Sequence, residues 1–184
     1  MALPRVAFWF LRHGQTDYNA RGVSQGAVDI PLNETGVAQA HRAAPLLAGR
    51  GITAVVASPM QRARVTAEIV NETLKLPISL EADLREVVFG GMEGQPLHPW
   101  FAQWLDGTAT PEGAESFAEI TVRAGLVLGR VLSGTPGPLL IVSHGAFFRA
   151  VRGLMGLELD VPTTNATPIL CEPVGQGWRA TALA

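Results

Sequence analysis

Two apolar runs in this chain, Val6–Leu11 and Pro138–Ser143, break off in the same way. "FWFLRHG" and "LLIVSHG" each lead a stretch of strand-forming residues straight into a histidine and then a glycine. Neither run alternates apolar with polar residues, which is the character of strands covered on both faces in a parallel sheet. Ala54–Ser58 is a third run of the same kind. In open parallel sheets ligands collect beyond the carboxyl ends of the strands, and a glycine there permits a tight turn or close backbone approach. His13 and His144 are therefore expected to face each other across one sheet edge.

The segments between these strands read as helices. Thr35–Arg50 places Val37, Ala40, Ala44 and Leu47 at helical spacing, with a kink expected at Pro45. Ser58-Pro59 has the form of an N-cap followed by proline, opening a helix through about Leu74 with Arg62 in its first turn. Phe117, Ile120, Ala124, Val127 and Val131 mark another helix, and Ser143-His144-Gly145 opens one through about Met155. Ala166–Glu172 and Trp178–Leu183 are candidate strands at the sheet's edge. The alternation predicts an α/β fold, a mostly parallel central sheet between helical layers. At 184 residues, without repeats or linkers, the chain is expected to form a single domain.

Composition narrows the partners. The longest apolar runs fall far below the roughly 20 residues a membrane span needs, and no secretion signal is read at the N-terminus. Cys171 is the only cysteine, which excludes an intramolecular disulfide or a thiolate zinc cluster and suits a reducing cytoplasm. A formal charge of −2 argues against a nucleic-acid platform. A small molecule is the expected partner.

Its chemistry follows from Arg12, His13, Arg62 and His144, all expected at one edge. A buried arginine requires a partner, so Arg12 at the end of an apolar strand points to an anion with several oxygens. His13, His144, Asp17 and Glu86 could instead ligate a metal, but two guanidinium groups would repel a divalent cation, and neither HExxH nor GxxxxGK[ST] occurs. His41, inside a helix, and His98, in a Pro-rich stretch, are assigned no role. Phosphoryl transfer without a metal needs positive donors around the transferring group, which two arginines supply bidentately. A neutral imidazole can attack phosphorus and carry the group as phosphohistidine. His13 suits that step, His144 suits hydrogen bonding to the transferring group, and Glu86, in "LREVVFGGMEG", suits protonation of the leaving oxygen.

Five blocks in order, "LRHGQTDYNARG", "VDIPLNETG", "ASPMQRARVTAEI", "LREVVFGGMEG" and "IVSHGAFFRAV", resemble the histidine phosphatase superfamily, which includes the cofactor-dependent phosphoglycerate mutases. The resemblance spans roughly residues 6 to 152. It implies a phosphoglycerate mutase-like three-layer α-β-α sandwich and a metal-independent enzyme without a cofactor. It implies His13 as nucleophile, Arg12, Arg62 and His144 as the phosphate pocket, Glu86 as proton donor, and Asn19, Gln25 and Gly145 as substrate-binding positions.

The chain departs from the family pattern at a few places. Val23 stands where an arginine is common, with Arg21 nearby, and Met92 stands where many phosphatases have tryptophan. Val87 to Val122, including a lid-like insertion at about 87–115, contains no lysine or arginine, whereas mutases carry a basic insertion there. Such a lid is expected to clamp a second phosphate or a carboxylate poorly, so water intercepts the phosphoenzyme. That favours a phosphomonoesterase acting on a small phosphorylated metabolite over a mutase-type phosphoryl transferase or a silent phosphate-binding protein. Trp100, Phe101 and Trp104 fall at near-helical spacing; they pack on the core, form an apolar wall for the leaving group, or offer a homodimer surface. "EGAESFAEI" resembles the family's Gly-Glu-Ser step; Glu115 is either placed to orient pocket residues or is a first-turn carboxylate favoured by the helix dipole.

Overall fold

The computed structural model describes residues 3–134 and 136–183. The elements run in the order β1 (Phe8–Arg12), α1 (Asp17–Arg21), α2 (Glu34–Leu47), β2 (Ala54–Ala57), α3 (Gln61–Leu74), β3 (Ile78–Leu80), α4 (Trp100–Leu105), α5 (Phe117–Gly134), β4 (Leu139–Ser143), α6 (Gly145–Leu154), β5 (Pro168–Val174) and β6 (Gly177–Ala182). The strands form one sheet in the order β3-β2-β4-β1-β5-β6. β3, β2, β4 and β1 are mutually parallel, and β5 and β6 add an antiparallel edge. β3 and α1 have no counterpart in the sequence reading, because each is too short to carry a periodic signal.

The central strands are apolar throughout because both faces are covered, and their residues still divide with the period of the pleat. Phe8 and Phe10 of β1 pack with Leu139 and Ile141 of β4 against α5 and α6. Trp9, Leu11, Leu140 and Val142 pack on the other face against α2 and α3. Phe10 stacks on Phe148 of α6 with ring centroids 4.1 Å apart, which fixes the first turn of that helix on the sheet. Truncating either ring to alanine would remove about 3–5 kcal/mol.

Two helix boundaries differ from the sequence reading. α2 runs through Pro45 but stops at Leu47, short of Arg50, so the proline falls in the last turn, where it withholds one helical bond and the helix ends two residues later. α3 begins at Gln61, and Ser58 is not its N-cap: Met60 is, without a side-chain bond of its own. Asp29 Oδ1, from a distant loop, instead accepts the Gln61 N–H at 2.8 Å. Ser58 is drawn away toward His144.

The topology creates the crevice. Beyond β1 the chain continues to α2 on one face, whereas β4 feeds α6 on the other. Adjacent strands whose connections leave to opposite faces open a cleft between their carboxyl ends. The segment between Val88 and Glu115 closes over this end. It is held by the Glu115 N–H to the Val88 carbonyl at 2.8 Å, by the Gly94 N–H to the Ser24 carbonyl at 2.9 Å and by a bridge between Val23 and Pro96.

Candidate active site

Strand register alone brings the first residues together. Arg12 pairs with Ser143 and Ala57 with Val142, so His13 and His144 emerge side by side and Ser58, one step behind at the level of Ser143, ends the third parallel strand beside them. The two imidazole rings lie 5.3 Å apart, and both histidines are buried.

His13 Nδ1 lies 2.7 Å from the Gly14 carbonyl oxygen. A carbonyl only accepts, so Nδ1 carries the proton and Nε2 presents its lone pair. Burial, then the charges of Arg62 and Arg12, lowers the proton affinity of this ring well below the ordinary imidazole value. Gly14 packs against the backbone of Gly36, where a Cβ would collide with the Gly36 carbonyl. Its N–H donates to Thr66 Oγ1 at 3.0 Å, tying the turn after His13 to α3. His144 is the N-cap residue of α6. Its Nε2 lies 2.8 Å from Ser58 Oγ, and its Nδ1 is buried without a partner. Burial and Arg62 again hold the ring neutral.

Arg12 donates from Nη1 to the Thr163 carbonyl at 2.7 Å, and its Nε has no partner. A Cβ at position 145 would stand 3.2 Å from that Nε, so Gly145 leaves the room the guanidinium needs. Arg12 is pushed down to about 10 by burial, with Glu86 opposing and Arg149 and Arg62 adding to the fall. Arg62 is fully buried. Its two terminal nitrogens donate to the Val28 and Gly26 carbonyls at 2.8 and 2.9 Å, while Nε is unpartnered. Each arginine is thus fixed by carbonyls and keeps an unused donor, as an anion site requires.

Glu86 lies at the start of α6. Oε2 accepts the Ala146 N–H at 3.2 Å, and Oε1 accepts those of Phe147 and Val87 at 3.0 and 3.1 Å. The free N–H groups of a helix's first turn are natural partners for a carboxyl group. Arg123 clamps the approach to this residue, donating to the carbonyls of Asp83 and Arg85 at 2.8 Å each. Glu115 holds Arg123 in a bidentate pair at 2.8 and 2.6 Å, and Trp104 Nε1 donates to the Glu115 carbonyl at 2.8 Å.

A cavity of about 360 Å³ opens over Arg12, Glu86, Gly145 and Ala146, with Asn19 and Gln25 in its wall. His13, Arg62 and His144 do not line it. Asn19 Oδ1 accepts from the Thr16 N–H in the capping box of α1, and Gln25 Oε1 accepts from the Thr16 hydroxyl at 2.9 Å. All eight residues singled out in the sequence thus gather around one end of the sheet. Asp17 does not join them: it is exposed, bonded to Asn33. Arg21 stacks over the Tyr18 ring at 4.8 Å, outside the cavity, and Val23 lines it. His41 and His98 are exposed.

The aromatic residues divide. Trp104 is core, fully buried against Phe89 and Phe117. Trp100 packs edge-on against Phe89, and Phe101 and Phe89 line the cavity with Leu97.

Several cavity residues escape the sequence reading. Thr163 and Thr164 lie in the wall, and Asn165 donates to the His13 carbonyl at 2.8 Å and to Asn19 Oδ1 at 3.2 Å. They sit in an irregular loop with no local signal. Arg149 also lines the cavity, and it was findable: on a helix opened by His144 it stands one turn beyond Gly145, on the same face.

Residues 8–182 match the Histidine phosphatase superfamily (branch 1), and the chain belongs to that family. It is 38% identical over 179 residues to a protein of Bacillus subtilis (strain 168) named uncharacterized phosphatase PhoE, covering 95% of this chain and 92% of the relative. It is 34% identical over 165 residues to the probable phosphoglycerate mutase GpmB of Yersinia pestis (strain Pestoides F), covering 84% and 75% of the two chains. Among solved structures it is similar to a mycobacterial glucosyl-3-phosphoglycerate phosphatase in complex with VO3, with a TM-score of 0.84, 26% identity, and 97% and 98% of the two chains covered. Among the described residues, no helix is long and apolar enough to cross a membrane.

Proposed function

We propose that this chain is a metal-independent phosphomonoesterase that hydrolyses a small phosphate monoester through a phosphohistidine at His13. The observation that carries the reading is the bond from His13 Nδ1 to the Gly14 carbonyl, which leaves the Nε2 lone pair free in a ring held neutral by its surroundings. Nε2 attacks phosphorus, the P–N bond forms as the ester P–O bond breaks, and Glu86 gives its proton to the departing oxygen. Water then attacks phosphorus, the P–N bond breaks, Glu86 takes a proton from the water, and inorganic phosphate leaves with His13 neutral again. The unused Nε donors of Arg12 and Arg62 meet charge on the equatorial oxygens.

The phosphatase names of the Bacillus relative and the mycobacterial neighbour support hydrolysis. The GpmB relative favours a second reading, phosphoryl transfer within a phosphorylated acid, which would appear as isomerisation stimulated by a bisphosphate. The first experiment is hydrolysis of p-nitrophenyl phosphate in excess EDTA by wild type and His13→Ala. Turnover that survives the chelator and vanishes in the variant is expected. Loss of wild-type turnover with EDTA would overturn the metal-free reading, and phosphate binding without turnover would leave a silent binder.

A further inference from the structure

The segment over the cavity, from Val87 to Val122, carries no lysine or arginine. The structure supplies one from the opposite side. α6 presents Gly145, Ala146 and Arg149 to the cavity, and Arg149 lies one helical turn, roughly 6 Å along the axis, beyond Gly145. Its guanidinium lies 5.1 Å from the ring centre of Phe101, itself a cavity residue. Its Nε is buried without a partner. Its one ion pair, Nη2 to Asp160 Oδ1, is 3.5 Å long and made with a carboxylate that is 78% exposed, an arrangement of little strength. Arg149 is thus a largely buried cation, stacked on an apolar wall and poorly paired.

Its field has a direction. Arg149 weakens the hold of Arg12 on its proton, but it is not among the charges that lower His13 or His144; those are Arg62 and Arg12 for both rings, with Arg123 and His13 added for His144. Arg149 and Arg12 line the open cavity and His13 does not, so Arg149 stands on the cavity side of the phosphate pocket, where the alcohol half of an ester lies when its phosphorus is at His13.

We propose that Arg149 selects the alcohol half of the substrate, and that the cavity takes phosphate monoesters whose alcohol carries a carboxylate on a short apolar spacer. The inference rests on the phosphomonoesterase reading. A carboxylate matches the planar guanidinium fork bidentately. The spacer is placed by Phe89, Leu97 and Phe101, which form the apolar part of the wall.

A matched pair of esters tests this, 3-carboxyphenyl phosphate against phenyl phosphate, compared as kcat/KM. Wild type is expected to prefer the carboxylated ester by about 10-fold or more, the range of a charge-assisted hydrogen bond. Arg149→Met keeps an unbranched chain over Phe101 and removes the charge; the preference is expected to collapse toward unity. Arg149→Lys, which keeps the charge without the fork, is expected to retain part of it and serves if the methionine variant does not fold. Equal rates for the two esters in wild type overturn the proposal. A preference that survives in Arg149→Met overturns the assignment to Arg149, as does a fall of both esters by one factor, which would place Arg149 with the phosphate. Failure of wild type to hydrolyse either ester overturns the phosphomonoesterase reading itself, and is thereby distinguished from equal turnover.

Discussion

The carboxyl ends of β1 and β4 are built from one sequence device, apolar strand, histidine, glycine, yet they present imidazoles of opposite character. At the end of β1, His13 has its Nδ1 against a carbonyl that can only accept, so its other nitrogen is a lone pair. At the end of β4, His144 has its Nε2 against the Ser58 hydroxyl and an unpartnered Nδ1. If the hydroxyl donates to Nε2, the proton sits on Nδ1 and the ring becomes a donor. The Met60 N–H reaches Ser58 Oγ at 3.3 Å, occupying one of its lone pairs and leaving its proton for the imidazole. The difference lies in what touches the rings, since burial and charge push both toward the neutral form.

The comparison breaks first at chemistry. His13→Ala removes the atom that would carry the phosphoryl group and is expected to lower kcat by about 10⁴-fold or more. His144→Ala removes the ring proposed to donate a hydrogen bond to the transferring group and is expected to cost about 10²–10³-fold. Intact mass after an alkaline quench separates them: a phosphoryl adduct is expected to form, slowly, in His144→Ala and not in His13→Ala. An adduct in His13→Ala would reverse the assignment.

Where the rings are alike, stability should show it. Each histidine binds a proton less readily folded than unfolded, so between the folded value and about 6.5 the unfolded chain holds more protons. Folding stability therefore rises with pH across that window and is lost as the pH falls below 6.5. Two such groups give a slope of about 2–3 kcal/mol per pH unit well inside the window. Urea unfolding at pH 7.5, 6.5 and 5.5 measures it. Replacing either histidine by alanine should roughly halve the slope, and a slope unchanged in both variants would mean that the rings accept protons in the folded state.

These two strand ends are also where the sequence is most legible. An apolar run ending in His-Gly fixes both the strand and the point at which its side chains meet a crevice, and parallel neighbours in register do the rest. Arg12, His13 and His144 follow from that; Arg62 follows from the helix after the third strand, and Glu86 from the acid the chemistry requires and from the family resemblance. What closes the site comes from contacts with no local signature: the Thr163 carbonyl on Arg12, Asn165 on the His13 carbonyl, and Asp29 capping α3 in place of Ser58. The aromatic segment illustrates the same limit. Helical spacing groups Trp100, Phe101 and Trp104 on one short helix, but only packing decides that Trp104 is core while Phe101 faces the cavity.

The finest difference between the two ends is the hydroxyl of Ser58. Ser58→Ala leaves His144 in place, still at the head of α6, but removes the group that sets its tautomer, so the ring can place its proton on either nitrogen. The expected loss is about 10-fold in kcat, the scale of one net hydrogen bond, with little change in the His13 adduct. Ser58→Thr keeps the hydroxyl and should recover most of the rate. A purely structural role for Ser58 predicts otherwise, with both variants losing stability and activity together. Measuring the urea midpoint beside kcat therefore separates a tautomer switch at β4 from a packing defect, and decides whether the contrast between the two histidines is made by a single proton.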